Sequence, residues 1–254
     1  MKKQFENKVV IVTGASMGIG KAVALAFSSE GAKVAVVDID EREGKRTVEA
    51  IKEGGGEAVF IPCDVSNPEQ VKNMVRTTVA EYGRLDYACN NAGIEGEQQQ
   101  STVECSLENW ENVINVNLKG VWLCMKHEIP EMLRAGGGAI VNVSSIAGLV
   151  GFPNIPAYVA SKHGVVGLTK TTALECAKQN IRVNTVCPGG IDTPMLERFT
   201  KGNDTALQQM NQMHPMGRVG TSEEIASAVL WLCSDAASFT TGQSIAVDGG
   251  YIAQ

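Results

Sequence analysis

Tyr158 and Lys162 stand four residues apart in Pro156-Ala-Tyr-Val-Ala-Ser-Lys162. On a helix, side chains at that spacing project from one face, which would set a phenol beside an ammonium. A free tyrosine titrates near pH ~10 and handles protons poorly at neutral pH. A neighbouring positive charge favours the phenolate and so tunes the phenol toward general acid/base work. Spacing alone favours a half-buried tyrosine beside a solvated lysine, so the surrounding elements have to decide.

Short apolar, β-branched runs fall at residues 8–12, 33–37, 58–61, 85–89, 139–143, 181–186 and 244–247. Such runs suit strands buried on both faces. Longer amphipathic stretches at 18–30, 41–53, 68–82, 107–134, 157–179 and 222–234 predict helices between them. The alternation predicts an α/β fold, a doubly wound parallel sheet of about seven strands with right-handed crossovers and helices on both faces. No linker, repeat or low-complexity tract divides the chain, so residues 1–254 read as one domain. Polar excursions interrupt the pattern at 95–101 and 191–220.

A net charge of -6 offers no basic surface to nucleic acid or an anionic membrane. Residues 1–8 lack the apolar stretch of a signal peptide, and no apolar run reaches the ~18 residues that span a bilayer. The expectation is a soluble, cytoplasmic protein. Seven scattered cysteines without a Cys-x-x-Cys pair suggest buried thiols rather than a disulfide framework. The three histidines, at 127, 163 and 214, lack metal-ligand spacing, so no metal is expected. His163 follows Lys162 directly and should point about 100° away around the helix.

The first strand runs into Thr13-Gly-Ala-Ser-Met-Gly-Ile-Gly20 and then a helix. Glycines at such a turn let backbone N–H groups approach a pyrophosphate, and the helix N-terminus adds its dipole and free amides. The segment Gly14, Ser16, Met17, Gly18, Ile19 and Gly20 is therefore a candidate dinucleotide cradle. The second strand ends at Asp38, 18 residues past Gly20, where an acid is expected to bond a ribose 2′-hydroxyl. A carboxylate there repels a 2′-phosphate, and no basic residue follows before Arg42. NAD is favoured over NADP. Asp64 and Val65, ending the third strand, could bracket the adenine; alternatively Asp64 caps its loop.

Taken together, Thr13-Gly-x-x-x-Gly-x-Gly20, Asn90-Asn-Ala-Gly93, Asn117, Ser145, Tyr158-x-x-x-Lys162 and Pro188-Gly189 resemble the short-chain dehydrogenase/reductase family, in the family's order and over the whole chain. The resemblance implies a Rossmann-type domain and a role for each position. Tyr158 is the proton donor and acceptor on the substrate oxygen, and Ser145 bonds that same oxygen, with the adjacent Ser144 disfavoured by spacing. Lys162 bonds the nicotinamide ribose and depresses the Tyr158 pKa. Asn117, rather than Asn115, holds a water linking Lys162 to solvent. Asn91, Ala92 and Gly93 flank the cofactor, whereas Asn90 stabilises the sheet. Pro188, Gly189, Ile191 and Thr193 close over the nicotinamide. The family also implies a homotetramer.

The family's substrate loops here supply Ile94, Glu95, Phe152 and Met195 beside Ser145 and Tyr158. Four methionines, 195, 210, 213 and 216, fall in residues 191–220. Methionine adapts to irregular apolar shapes, which suits a lid over a hydrophobic or cyclic small-molecule substrate; the same methionines could equally pack on the protein itself. The pattern resembles members that oxidise cyclic alcohols or diols, while other members reduce acyl-carrier thioester ketones or oxidise hydroxysteroids or sugars. Arg198, Lys201 and Arg218 are too few and dispersed to demand an anionic carrier. A non-catalytic NAD-binding regulator on the same fold is the reading from another class.

Overall fold

Seven apolar runs become seven parallel strands: β1 Val9–Thr13, β2 Lys33–Asp38, β3 Glu57–Pro62, β4 Tyr87–Asn90, β5 Gly138–Val143, β6 Ile181–Pro188 and β7 Ser244–Val247. The computed structural model describes residues 3–200 and 202–254. Met1 and Lys2 of the N-terminal stretch, and Lys201 of the second excursion, lie outside the described residues. The strands form one sheet in the order β3-β2-β1-β4-β5-β6-β7.

Side chains alternate across each strand, so each run feeds two cores. Val10, Val12, Val34, Val36, Val141 and Val143 pack into one core, and Val9, Ile11, Ala35, Val37 and Ile140 into the other. Helices α1 (Gly18–Ser29), α2 (Glu41–Glu53) and α9 (Ser222–Cys233) cover the first face. Helices α3 (Pro68–Tyr82), α5 (Gly120–Ala135) and α6 (Pro156–Cys176) cover the second. Double burial explains why inner strands such as β1 read as apolar runs.

The stretch 107–134 differs from expectation. It forms α4 (Leu107–Ile114), a π turn at Asn115–Lys119, and then α5, with Pro130 tolerated inside α5. The π turn inserts a residue into the helical register, a device often found at functional sites. The second excursion contains two helices that its polar sequence does not announce, α7 (Pro194–Thr200) and α8 (Asp204–Met213). Its ends are pinched together by a parallel bridge between Ile191 and Gly220.

The sheet order reverses between β1 and β4, and ligands of open α/β sheets bind outside the carboxyl ends of strands at such a switch point. Val12 stands opposite Cys89, which carries the glycine turn after β1 and the Asn-Asn-Ala-Gly segment after β4 to the same edge.

Candidate active site

The glycine turn is a space where side chains are forbidden. Gly14 and Gly18 adopt positive φ, +64° and +53°. A Cβ at Gly20 would lie 2.1 Å from the Gly14 carbonyl oxygen. Asn91 fills the underside of the turn, its Nδ2 donating to Thr13 O at 3.0 Å and Gly14 O at 3.2 Å. The Thr13 hydroxyl accepts from the backbone N–H groups of Asn91 and Ala92. Ile19 packs against the core below.

The helix that follows is built differently from most others here. Helices α2, α3, α4, α8 and α9 begin with the side chains of Asp40, Asn67, Ser106, Asn203 and Thr221 bonded to their first amides. Helix α1 begins at Met17 with no side-chain cap and no acid in its first turn. Its amides and positive dipole end are thus left for an anion. Across the cleft, a Cβ at Gly18 would meet the Thr193 methyl at 3.2 Å, so the glycine turn faces the segment after β6. The residues present fit a dinucleotide pyrophosphate.

Asp38 closes this end. Its Oδ2 accepts from the Ser16 N–H at 3.0 Å and the Ser16 hydroxyl at 2.6 Å, and its Oδ1 from the Asp40 N–H. Arg42, the nearest following basic residue, pairs with Glu43. Asp64 accepts from the Ser66 N–H and hydroxyl through one oxygen, so its loop-capping role is present. Val65 is buried where α5 starts, within 3 Å of a Cβ placed at Gly120.

The chemical end gathers on α6 and the strand ends around it. Lys162 is buried and donates to Val143 O at 3.1 Å, its Nζ 5.5 Å from the centroid of the Tyr158 ring. Gly93 lines the same spot: a Cβ there would lie 3.2 Å from Asn117 Oδ1 and 3.5 Å from Lys162 Nζ. Ser144 and Ser145 part company as the spacing requires. The Ser144 hydroxyl is buried and donates to the Lys162 carbonyl at 2.9 Å. Ser145 is only partly buried, accepts from the Ala147 N–H at 3.1 Å and lies near enough to the Tyr158 phenol to pull its pKa down.

Asn117 sits in the π turn, fully buried. Its Oδ1 accepts from the Ile94 N–H at 2.8 Å, and its Nδ2 donates to Ile94 O at 2.9 Å and to the Ser161 hydroxyl at 3.2 Å. Asn115 instead faces Lys119. The Asn117 side chain thus clamps the loop after β4 to α6, and its polar atoms are already engaged.

At Tyr158 burial dominates the titration. Burial pushes the phenol up to about 12, with the Ser145 bond pulling down and the Glu95 charge pushing up. Burial also pushes the Lys162 amine down to about 8, offset a little by Cys187. Desolvation disfavours both charged forms, and at this separation the ammonium does not reverse it.

The remaining candidates surround the cleft. Pro188 ends β6; the Gly189 N–H donates to Val247 O, and the Gly190 N–H donates to His214 Nε2 at 3.0 Å. Thr193 caps α7 with its hydroxyl and donates to Ile191 O. Phe152 stacks on Tyr251 with ring centroids 5.8 Å apart. Met195 is half-buried and Met210 packs over Gly190, while Met213 and Met216 are exposed.

Sequence reasoning named Glu95, Arg198 and Arg218 but missed their pairings, and it missed Asn109. Glu95 forms a two-bond ion pair with Arg198 of α7, at 2.6 and 3.2 Å, joining the loop after β4 to the second excursion. Burial pushes the Glu95 carboxyl up, but the guanidinium more than offsets it, so its pKa is lowered. Arg218 pairs likewise with Glu224. Asn109, buried in α4, accepts from the Glu97 N–H and so anchors the first excursion. Partners up to 103 residues apart leave no local signal. Among the described residues there is no cluster able to hold a metal, and no helix long and apolar enough to cross a membrane.

Comparison with known proteins agrees with this geometry. A family model described as enoyl-(acyl carrier protein) reductase matches residues 14–252. The chain is 47% identical over 251 residues to cyclohexanol dehydrogenase of Acinetobacter sp. (strain SE19), covering 99% of this chain and 97% of that one. It is 44% identical over 249 residues to a 2,5-dichloro-2,5-cyclohexadiene-1,4-diol dehydrogenase of Sphingobium indicum, covering 97% and 98%. The crystal structure of levodione reductase superposes with a TM-score of 0.95 at 37% identity, covering 98% of this chain and 99% of that one. With its Tyr-x-x-x-Lys pair, Ser145 and uncapped glycine turn meeting at one sheet edge, the chain belongs to the short-chain dehydrogenase/reductase family and is an oxidoreductase acting on CH–OH groups.

Proposed function

We propose that this protein interconverts a cyclic, largely apolar secondary alcohol and its ketone, using NAD. The observation that carries the reading is Lys162 Nζ standing 5.5 Å from the Tyr158 ring centroid on α6, with Gly93 and Asn117 beside it. When bound, the dinucleotide accepts or returns the hydride and, oxidised, brings a positive charge beside the phenol. Tyr158 takes the hydroxyl proton at its phenol oxygen in alcohol oxidation and returns it in ketone reduction. Ser145 donates to the substrate oxygen as negative charge develops there, an oxyanion-type stabilisation. Lys162 holds the nicotinamide ribose, while Asn117 keeps the loop after β4 in register with α6. A nearby positive charge offsets the burial that holds the phenol up at about 12.

NAD is preferred because Asp38 presents its carboxylate at the end of β2 and Arg42 is engaged by Glu43. A neutral substrate is preferred because Arg198 and Arg218 are each committed to a carboxylate, leaving no cation in the described part of residues 191–220 to greet an acyl-carrier phosphate. Those residues act as the lid. The similarity to dehydrogenases named for cyclohexanol and a cyclohexadiene diol supports a ring substrate. We further assign a cytoplasmic homotetramer, supported by the apolar side chains Leu107, Trp110, Trp122 and Leu174 left exposed on α4, α5 and α6.

A panel of cyclic alcohols, hydroxysteroids, sugars and β-hydroxyacyl thioesters, followed by NADH absorbance with NADP in parallel, tests the reading. Cyclic alcohols with NAD should give the highest kcat/KM. Preference for thioesters or for NADP would overturn the substrate or the cofactor assignment respectively. NADH binding without turnover of any member would favour a non-catalytic role.

A further inference from the structure

Beneath the cleft, on the face covered by α5 and α6, a chain of polar side chains runs through the core. Glu128, Asn90, Asn142, Thr169 and Thr185 are all buried, none more than 1% exposed. Asn90 Nδ2 donates to Glu128 Oε2 and to Asn142 Oδ1, both at 3.1 Å. Asn142 Nδ2 donates to Thr169 Oγ1 at 2.9 Å, and the Thr185 hydroxyl to the same oxygen at 2.8 Å. The chain links α5, β4, β5, α6 and β6.

Two oxygens of this chain have no partner: Glu128 Oε1 and Asn90 Oδ1. They belong to the two residues that one hydrogen bond already joins. A carboxylic acid and a primary amide can pair through two parallel bonds, amide N–H to acid carbonyl and acid O–H to amide carbonyl. The first bond is present, and a proton on Oε1 would supply the second. We infer that Glu128 is a neutral carboxylic acid whose Oε1–H donates to Asn90 Oδ1, closing a two-bond ring that positions β4 and α6 beneath the active site.

The surroundings agree. The titratable groups facing Glu128 are Cys124 on its own helix and Cys89 on β4, both thiols pushed well above their ordinary range by burial and so uncharged. From β5 and α6 the chain presents Asn142 and Thr169, which do not titrate. No Lys, Arg or His pairs with Glu128 among the described residues. A buried, unpaired carboxylate is strongly disfavoured. Burial pushes the Glu128 carboxyl up to about 8, against the pull of the Asn90 bond. Glu128 is therefore a positioning residue: Asn90 directly precedes the cofactor-side segment 91–93, and Thr169 lies on the helix that carries Tyr158 and Lys162.

Glu128→Gln and Glu128→Leu test this. Glutamine places a permanent N–H donor where the acid proton would be, so E128Q should retain turnover within about two-fold. E128L leaves Asn90 Oδ1 orphaned and should lower kcat about ten-fold with little change in cofactor affinity. The pH dependence has a definite sign. An unfolded glutamate releases its proton near ~4.3, whereas folded Glu128 holds it up to about 8. The stabilisation is complete below the first value and is lost as pH rises toward the second. Wild-type folding equilibria should thus weaken relative to E128Q by about ten-fold per pH unit in that window, then run parallel above it. The infrared spectrum of the wild type at neutral pH should carry the carbonyl band of a protonated acid, lost in E128Q and lost on raising the pH past the upper value. Parallel stability curves throughout, absence of that band, or an E128Q as impaired as E128L or unable to fold would each overturn the inference; an unchanged kcat in E128L would overturn the positioning role. The stability and infrared measurements need no substrate, so their failure is distinguishable from failure of the proposed reaction.

Discussion

The two ends of the cleft work by opposite means. The cofactor end, after β1 and β2, is made by leaving side chains out. Gly14, Gly18 and Gly20 clear a space, and α1 starts without the cap that five other helices carry. The chemical end, on α6 and the loops after β4 and β5, is made by packing polar side chains in. Lys162, Asn117 and Ser144 are buried and each is hydrogen-bonded. A cradle cleared of side chains asks little of its neighbours, whereas a buried ammonium and a half-buried tyrosine must be positioned against their desolvation. The difference teaches that affinity and turnover should be separable by single substitutions.

The strongest way to break that comparison is Tyr158→Phe. Loss of the acid/base group should cost about 10²–10⁴-fold in kcat while NADH affinity, measured by fluorescence titration, stays nearly constant. More than about a tenth of the activity remaining would remove Tyr158 from its role. Next comes Gly20→Ala, whose Cβ would fall 2.1 Å from Gly14 O. Overpacking of this kind costs about 1–3 kcal/mol, so NADH should bind roughly ten- to a hundred-fold more weakly, with kcat recovered at saturation. A loss in kcat with affinity intact would contradict the separation. The smallest effect belongs to Arg198→Ala. The ion pair with Glu95 is half-exposed on the arginine side, so stability should change by less than ~1 kcal/mol. Freed from its partner, Glu95 should raise the KM of an apolar substrate a few-fold without altering NADH affinity. A change in NADH affinity as large as the change in KM would show that the two ends are not independent.

Much of this arrangement was legible in the sequence, for reasons that differ by region. The inner strands announce themselves because both faces are buried: Val9–Thr13 is almost wholly apolar, although Ile181–Pro188 carries Arg182, Asn184 and Thr185, and the edge strand β7 is only partly buried. The placing of Tyr158 and Lys162 on one helix, and of the glycine turn between β1 and α1, is legible because local spacing encodes it. Helices α7 and α8 were not, because no buried apolar stripe marks them; α8 buries no residue at all. The π turn at Asn115–Lys119 keeps a helical composition and shifts only the register. Glu128 reads as one more polar residue of an amphipathic helix, and its partner Asn90 lies 38 positions away. The rise in the Tyr158 pKa comes mainly from burial, which spacing does not encode.

The bridge between Ile191 and Gly220 has a consequence for how this chain can change. Both ends of the intervening segment are fastened, with the Asp192 N–H bonded to Gly220 O and the Gly220 N–H to Gly190 O. A loop whose ends are already held together adds only about 0.6 kcal/mol of closure entropy for each doubling of its length. Residues 192–219 therefore behave as a cassette. Its length and composition can vary between these two fixed posts at little cost to the sheet, provided that Thr193 against the glycine turn, Arg198 on Glu95 and His214 under Gly190 are kept.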